Sequence, residues 1–174
     1  MDLQIETHRL LLRPFLATDA EALFEMDHNP NVHAYIGNKP VTSIDEIYGY
    51  INNIQQQYRD NGIGRFAVVI KATKEIIGWA GIKYITEPEN NHVNFYDLGY
   101  RLQEKHWRKG YALEAAKAWL DYGLNQMNIK TMYASAHIKN VGSNIILQRI
   151  GMIQNGEFYW DDLLCNWYEL QNPN

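Results

Sequence analysis

Apolar positions along the 174-residue chain recur with two periods, and the periods take turns. Leu10-Leu11-Leu12, flanked by Arg9 and Arg13, predicts a strand over residues 8–15. Thr18 and Glu21 stand at capping-box spacing ahead of an apolar face of Ala22, Leu23 and Met26, a helix that Asn29-Pro30-Asn31 ends. Ser43 with Glu46 opens a second helix, along which Ile44, Ile47, Tyr48, Ile51, Ile54 and Tyr58 recur at helical spacing. After a turn at Gly62-Ile63-Gly64, strands over 66–70 and 76–85 flank a tight turn at 72–75. A polar loop over 88–92 leads to a strand over 93–102. A long helix over 108–127, a strand over 130–138 and a helix over 141–150 follow. A hairpin of 152–160 and 163–170 around Asp161-Asp162 closes the chain.

The order β-α-α-β-β-β-α-β-α-β-β implies an α/β (α+β) protein with a mixed, mostly antiparallel sheet flanked by helices, not a doubly wound parallel one. No repeat or linker divides the chain, so residues 1–174 read as one domain.

Composition narrows the class. With 46% hydrophobic and 21% charged residues the chain is an ordinary globular one. A net charge of −4 argues against a dedicated nucleic-acid binder. The one cysteine, Cys165, excludes a disulfide framework within the chain and reads as a small buried hydrophobe. The six histidines show no metal-ligand spacing, so no metal is expected, and His137 reads as structural. The start does not resemble a signal peptide, and no apolar run approaches the ~18 residues of a membrane span. A cytoplasmic protein is the expectation.

One stretch departs from the acidic average. Between a predicted strand and the long helix, residues 101–109 hold Arg101, Lys105, Arg108 and Lys109 against the single acid Glu104. Gly110, Tyr111 and Ala112 follow. A helix N-terminus offers unpaired backbone N–H groups and partial positive charge. Gly110 lets the backbone approach a ligand, and the arrangement suits a phosphate or pyrophosphate. The same residues also read as a solvated basic loop with a glycine at the helix start. No Ser or Thr follows a Gly-Lys pair as a P-loop requires, and the three spaced glycines of a dinucleotide fingerprint are absent.

Trp107-Arg108-Lys109-Gly110-Tyr111-Ala112, followed by Glu114-Ala115, resembles the acetyl-CoA pyrophosphate loop of the GCN5-related N-acetyltransferases. That pattern is Arg/Gln-x-x-Gly-x-Gly/Ala, and Trp107 at its first position is similar to the RimJ/RimL-like branch, which acetylates N-termini of ribosomal proteins. His8-Arg9-Leu10-Leu11-Leu12-Arg13-Pro14, Ile76-Ile77-Gly78-Trp79-Ala80-Gly81-Ile82, Asp97-Leu98-Gly99-Tyr100 and Asn140-Val141-Gly142-Ser143 with Ile146 to Met152 carry the resemblance over nearly the whole chain.

The resemblance implies direct attack of an amine on the acetyl thioester. It implies oxyanion stabilisation by backbone N–H groups around Tyr100, Arg101 and Leu102. Leu147 stands where many members have a Tyr as the acid and cannot give a proton; the likeness to the RimJ/RimL-like branch implies that Ser143, four residues earlier on the same face, serves the thiolate as proton donor or hydrogen-bond partner. Asn140 is expected to bond the pantetheine or acetyl region, or simply to cap its helix. Asp97 is the candidate base, with a water relay as the alternative. Glu114 reads as structural. Tyr35, Trp79, Tyr84, Tyr96 and Trp160, with Asp161 and Asp162, are candidates to hold a cationic amine. A protein N-terminus, a polyamine or an aminoglycoside-like amine would serve as acceptor, and a homodimer is allowed. A non-catalytic acyl-CoA sensor or scaffold is the competing reading.

Overall fold

Strand alternation sets the architecture, because it assigns every second side chain of the central strands to one layer of helices. The computed structural model describes residues 2–173. Eight strands form one sheet in the order β1-β2-β3-β4-β5-β6-β8-β7. They are β1 (Ile5–Glu6), β2 (Leu10–Arg13), β3 (Arg65–Ile70), β4 (Ile76–Ile85), β5 (Phe95–Leu102), β6 (Thr131–His137), β7 (Ile153–Trp160) and β8 (Leu163–Gln171). All neighbours pair antiparallel except β5 with β6, which run parallel.

Helices cover both faces. On one face lie α1 (Ala20–Asp27), the short α2 (Pro30–His33) and α3 (Ile44–Asn61). The other face carries α4 (Tyr111–Asn125) and α5 (Val141–Arg149). Trp119 of α4 meets Phe66 of β3 edge-on at 4.7 Å. Leu10, Leu12, Leu23, Ile47, Val68 and Trp119 are among the buried residues of this core. A satellite cluster of Phe95, Phe158, Cys165 and Trp167 lies toward the β8 edge.

The sheet class and the long elements agree with the sequence reading, and the first forty residues differ in detail. The opening strand forms as β2, and an additional short strand, β1, precedes it; in the turn between them the Thr7 hydroxyl accepts from Leu10 N (2.9 Å). Thr18 and Glu21 do not form the expected cap. Asp19 stands at the N-cap position of α1 but makes no side-chain cap bond; its carboxylate accepts from Leu16 N (2.9 Å) and from both ends of the Arg13 guanidinium (2.7 and 2.8 Å). α1 ends at Asp27, directly before Asn29-Pro30-Asn31 as expected, and the same three residues also start α2, with Asn29 capping Asn31 N at 2.9 Å and Pro30 at the first helical position. The box at Ser43 forms as expected, Glu46 accepting from Ser43 N at 3.0 Å. Among the described residues no helix is long and apolar enough to cross a membrane.

Candidate active site

β5 and β6 pair only at Tyr96–Met132 and Asp97–Tyr133. Beyond that point β5 follows β4 and β6 follows β8, so the sheet splays open. Gln103 N donates to Ile77 O on β4 at 2.8 Å. By antiparallel alternation, residues 101 and 99 also turn their backbone groups to β4, and Tyr100 and Leu102 turn theirs to the gap. The indole N–H of Trp107 donates to Leu102 O at 2.8 Å, which agrees with that direction. Arg101, grouped in the sequence with its two neighbours, therefore lines the gap with its side chain and not its N–H.

Below the gap the chain turns into α4. Arg108 (φ 60°) and Gly110 (φ 81°) both lie in the left-handed region on either side of Lys109. Such alternation of hand makes successive N–H groups converge on an anion. A Cβ at Gly110 would stand 3.2 Å from the Arg9 guanidinium. The first intrahelical bond runs from Glu114 N to Gly110 O (3.0 Å), leaving the N–H groups of the first turn for a ligand.

This loop is braced from the far end of the sequence. Glu114 accepts from the Thr7 hydroxyl (2.6 Å), Arg9 N (2.7 Å) and Arg9 Nε (2.6 Å). Arg9 then donates to Lys109 O (2.9 Å) and lies 4.4 Å over the Tyr111 ring. Burial raises the Glu114 pKa, but the bonds from Thr7 and Arg9 outweigh it and hold the carboxyl below its ordinary value.

Across the gap, α5 brings in Ser143. Its Oγ lies 3.0 Å from the Tyr100 hydroxyl, which is also 3.2 Å from Ser143 O. Burial pushes the Tyr100 phenol well up, so it stays protonated and orients Ser143 as a neutral group. Asn140 caps α5 by accepting from Ser143 N at 3.2 Å. Asn144 pins the turn, donating to His137 O (3.0 Å) and Asn140 O (2.7 Å) and accepting from Asn166 and Tyr168 (2.7 Å each). Gap, loop and α5 enclose one continuous cleft of about 610 Å³.

A family model for the acetyltransferase (GNAT) domain matches residues 9–153, spanning both walls of this cleft. The chain belongs to the GNAT acetyltransferase family. The uncharacterized N-acetyltransferase p20 of Bacillus licheniformis is 30% identical over 150 residues, 86% of this chain and 82% of its own. A GNAT-family acetyltransferase structure from Bacillus anthracis matches with a TM-score of 0.83 at 24% identity, over 99% of this chain and all of that one (100%). The Vibrio cholerae spermidine N-acetyltransferase in complex with CoA and spermine shares the fold, with a TM-score of 0.76, 20% identity and coverage of 95% and 97%.

In this GNAT enzyme most residues expected to bind acetyl-CoA do line the cleft: Tyr100, Arg101, Leu102, Trp107, Arg108 and Gly110, with Tyr111, Ala112, Asn140 and Ser143. Lys109 does not; it gives its carbonyl to Arg9. Lys105 is engaged by Glu25 (2.9 Å) and Glu75 (3.2 Å). Lys139 and Arg149 supply positive charge from the α5 side instead.

The expected acceptor residues scatter. Tyr35 lines the cleft. Trp79 lies beneath Arg101, ring centroid to guanidinium 5.2 Å. Tyr84 and Tyr96 pack on each other at 4.9 Å outside the cleft, and Trp160 is half-exposed at the turn of the β7–β8 hairpin, where Leu164 O accepts from Ile138 N (3.1 Å) just before Lys139 and Asn140 of the cleft. Asp97 is also displaced from its expected role: its carboxylate is held by Arg65, and alternation points it to the face opposite Tyr100. Among the described residues, no group of three or more His, Cys, Asp or Glu is placed to hold a metal ion.

Arg9, Asn144, Lys139 and Arg149 went unread in the sequence. Arg9 and Glu114 are 105 positions apart, and Asn144 joins its local partners His137 and Asn140 to Asn166 and Tyr168, 22 and 24 positions away, contacts that no local spacing encodes.

Proposed function

We propose that residues 1–174 act as one N-acetyltransferase domain in the cytoplasm, moving the acetyl group of acetyl-CoA to a primary amine by direct attack. The single observation that carries this reading is the open gap beside β5. There two backbone N–H groups, at Tyr100 and Leu102, face Ser143 across a cleft whose floor is the anion-binding turn at Gly110.

The residues present fit acetyl-CoA. The turn at 108–110 and the first turn of α4 suit the pyrophosphate, with Arg108, Lys139 and Arg149 adding charge. One of the Tyr100 and Leu102 N–H groups suits the carbonyl oxygen as it gains negative charge, and the other, two strand residues away, suits an amide of the pantetheine arm. The amine lone pair forms the new N–C bond and the C–S bond breaks. Ser143, oriented by Tyr100, hydrogen-bonds the departing thiolate, and any proton it passes on is returned to its Oγ from solvent through the Tyr100 hydroxyl, so that it ends the step neutral. The proton lost by the incoming ammonium passes to solvent, because Arg65 engages the Asp97 carboxylate outside the cleft.

Two acceptor classes have support. The likeness to a spermidine N-acetyltransferase favours a polyamine, and the RimJ/RimL-like loop favours a protein N-terminal amine. The test is thiol release from acetyl-CoA with a panel of amines, alongside calorimetric titration of CoA. Amine-dependent release supports transfer. CoA binding with no release on any amine would identify an acyl-CoA sensor instead.

A further inference from the structure

We propose that the acceptor carries a carboxylate next to the amine that is acetylated, as a free amino acid does, and that Arg101 with the Trp79 indole N–H binds that carboxylate. The proposal rests on the acetyl-transfer reading above.

The gap between β5 and β6 has two mouths. The anion-binding turn, α4 and α5 occupy one, which leaves the amine to reach the acetyl carbon from the other, between β5 and α2. Asn31, Val32, Tyr35 and Ile36 of the α2 region line that side. Arg101 joins them because strand alternation turns it away from Tyr100.

Three observations define the chemistry of this mouth. First, among the described residues none that lines the cleft is Asp or Glu. Outside the lining, Asp27 is paired with Arg101 (2.8 Å) and Asp97 with Arg65, while both Glu104 carboxylate oxygens accept from the Asn29 and Asn31 amides (2.8 to 3.0 Å).

Second, Arg101 has donors to spare. One N–H goes to Asp27, while the planar fork carries five and matches a carboxylate in two-point fashion. Third, the surroundings hold polar groups that are buried without partners. Trp79, opposite Arg101 in the β4–β5 register, is 9% exposed, and its Nε1 has no hydrogen-bond partner among the described residues. His33, 7% exposed, lies 3.5 Å from the same Asp27 oxygen, and its Nε2 is likewise without a hydrogen bond. Native interiors seldom leave such groups unmatched. Unmet donors beside a guanidinium are complementary to an acceptor oxygen brought in by a ligand.

Thiol release from acetyl-CoA tests this with matched acceptors: an amino acid, its carboxamide, its decarboxylated amine, and spermidine. The expected result is a kcat/KM at least tenfold higher for the amino acid than for its amide or amine, with spermidine slower still. Arg101→Gln should erase that preference by raising the acceptor KM, with the acetyl-CoA KM within twofold. Arg101→Lys keeps a cation for Asp27 and should fold normally with a partial preference. A faster amide, amine or spermidine overturns the proposal and leaves acetyl transfer standing. So does an Arg101→Gln enzyme that retains the full preference. CoA binding without release on any acceptor overturns both. The wild-type comparison needs no variant and decides the matter even if Arg101→Gln does not fold.

Discussion

On the α4 side of the gap, the groups aimed at a ligand are mostly backbone N–H groups within residues 100–113. On the α2 side they are side chains, and their partners come from positions 27, 33, 65, 79 and 97. The first mouth is a matter of local chain conformation, set by Arg108 and Gly110 in the left-handed region and by the start of a helix. The second is a matter of tertiary pairing between strands β3, β4 and β5 and helices α1 and α2. A conformation-built site keeps its chemistry whatever the side chains do, which suits a ligand common to a whole family. A site built from pairs changes with each substitution, which suits an acceptor that differs between members.

The comparison can be broken by disturbing one mouth and reading the other. The largest effect is expected at the Arg65–Asp97 pair. Arg65 is buried and also donates to Asp97 O at 2.9 Å. Asp97→Ala should therefore lower the unfolding free energy by about 3–5 kcal/mol, as loss of one partner of a buried pair does. Urea unfolding measures the loss, and calorimetry below the transition should give CoA affinity within a factor of two of wild type. A large drop in CoA affinity would join the two mouths into one unit.

Gly110→Val comes next. A β-branched residue at a φ of 81° is strained, and its Cβ would crowd Arg9. A turn that relaxes out of this conformation to escape about 1–3 kcal/mol of strain should bind CoA roughly fivefold to 150-fold more weakly. The acceptor preference of the residual activity should stay unchanged, which steady-state kinetics with two acceptors would read.

A smaller, pH-dependent effect belongs to Glu114. Its folded pKa lies below the ordinary value of 4.5. Its stabilisation is therefore fully present above about pH 4.5 and is lost as pH falls through the depressed folded value. The Tm difference between wild type and Glu114→Gln should accordingly shrink as pH drops below 4.5. A constant difference from pH 7 to pH 3 would mean that the carboxylate charge adds nothing to the brace.

The contrast between the mouths also accounts for what was legible in the sequence. The turn at 108–110 declares itself by a glycine, adjacent basic residues and a following apolar-periodic helix, all within a dozen positions. Ser143 and Asn140 were readable as a helix start. Asp97 was misjudged because alternation alone does not say which face a strand residue takes, and its partner Arg65 lies 32 positions away. Tyr100 was read for its backbone, yet its hydroxyl orients Ser143 across 43 positions. In the opening segment the expected capping box of Thr18 and Glu21 does not form, and Arg13 draws the Asp19 carboxylate into a two-point pair that leaves α1 without a side-chain cap. The hairpin turn after Trp160 was legible from Asp161-Asp162, whereas its position beside the start of α5 rests on the β6–β8 pairing, which no local spacing encodes.

The central claim is that acetyl transfer occurs in the gap with Ser143 serving the leaving thiolate. Steady-state thiol release by Ser143→Ala tests it most directly. Loss of a positioned proton donor predicts a fall in kcat of about a hundredfold with the acetyl-CoA KM within twofold. A variant with wild-type kcat would contradict the account.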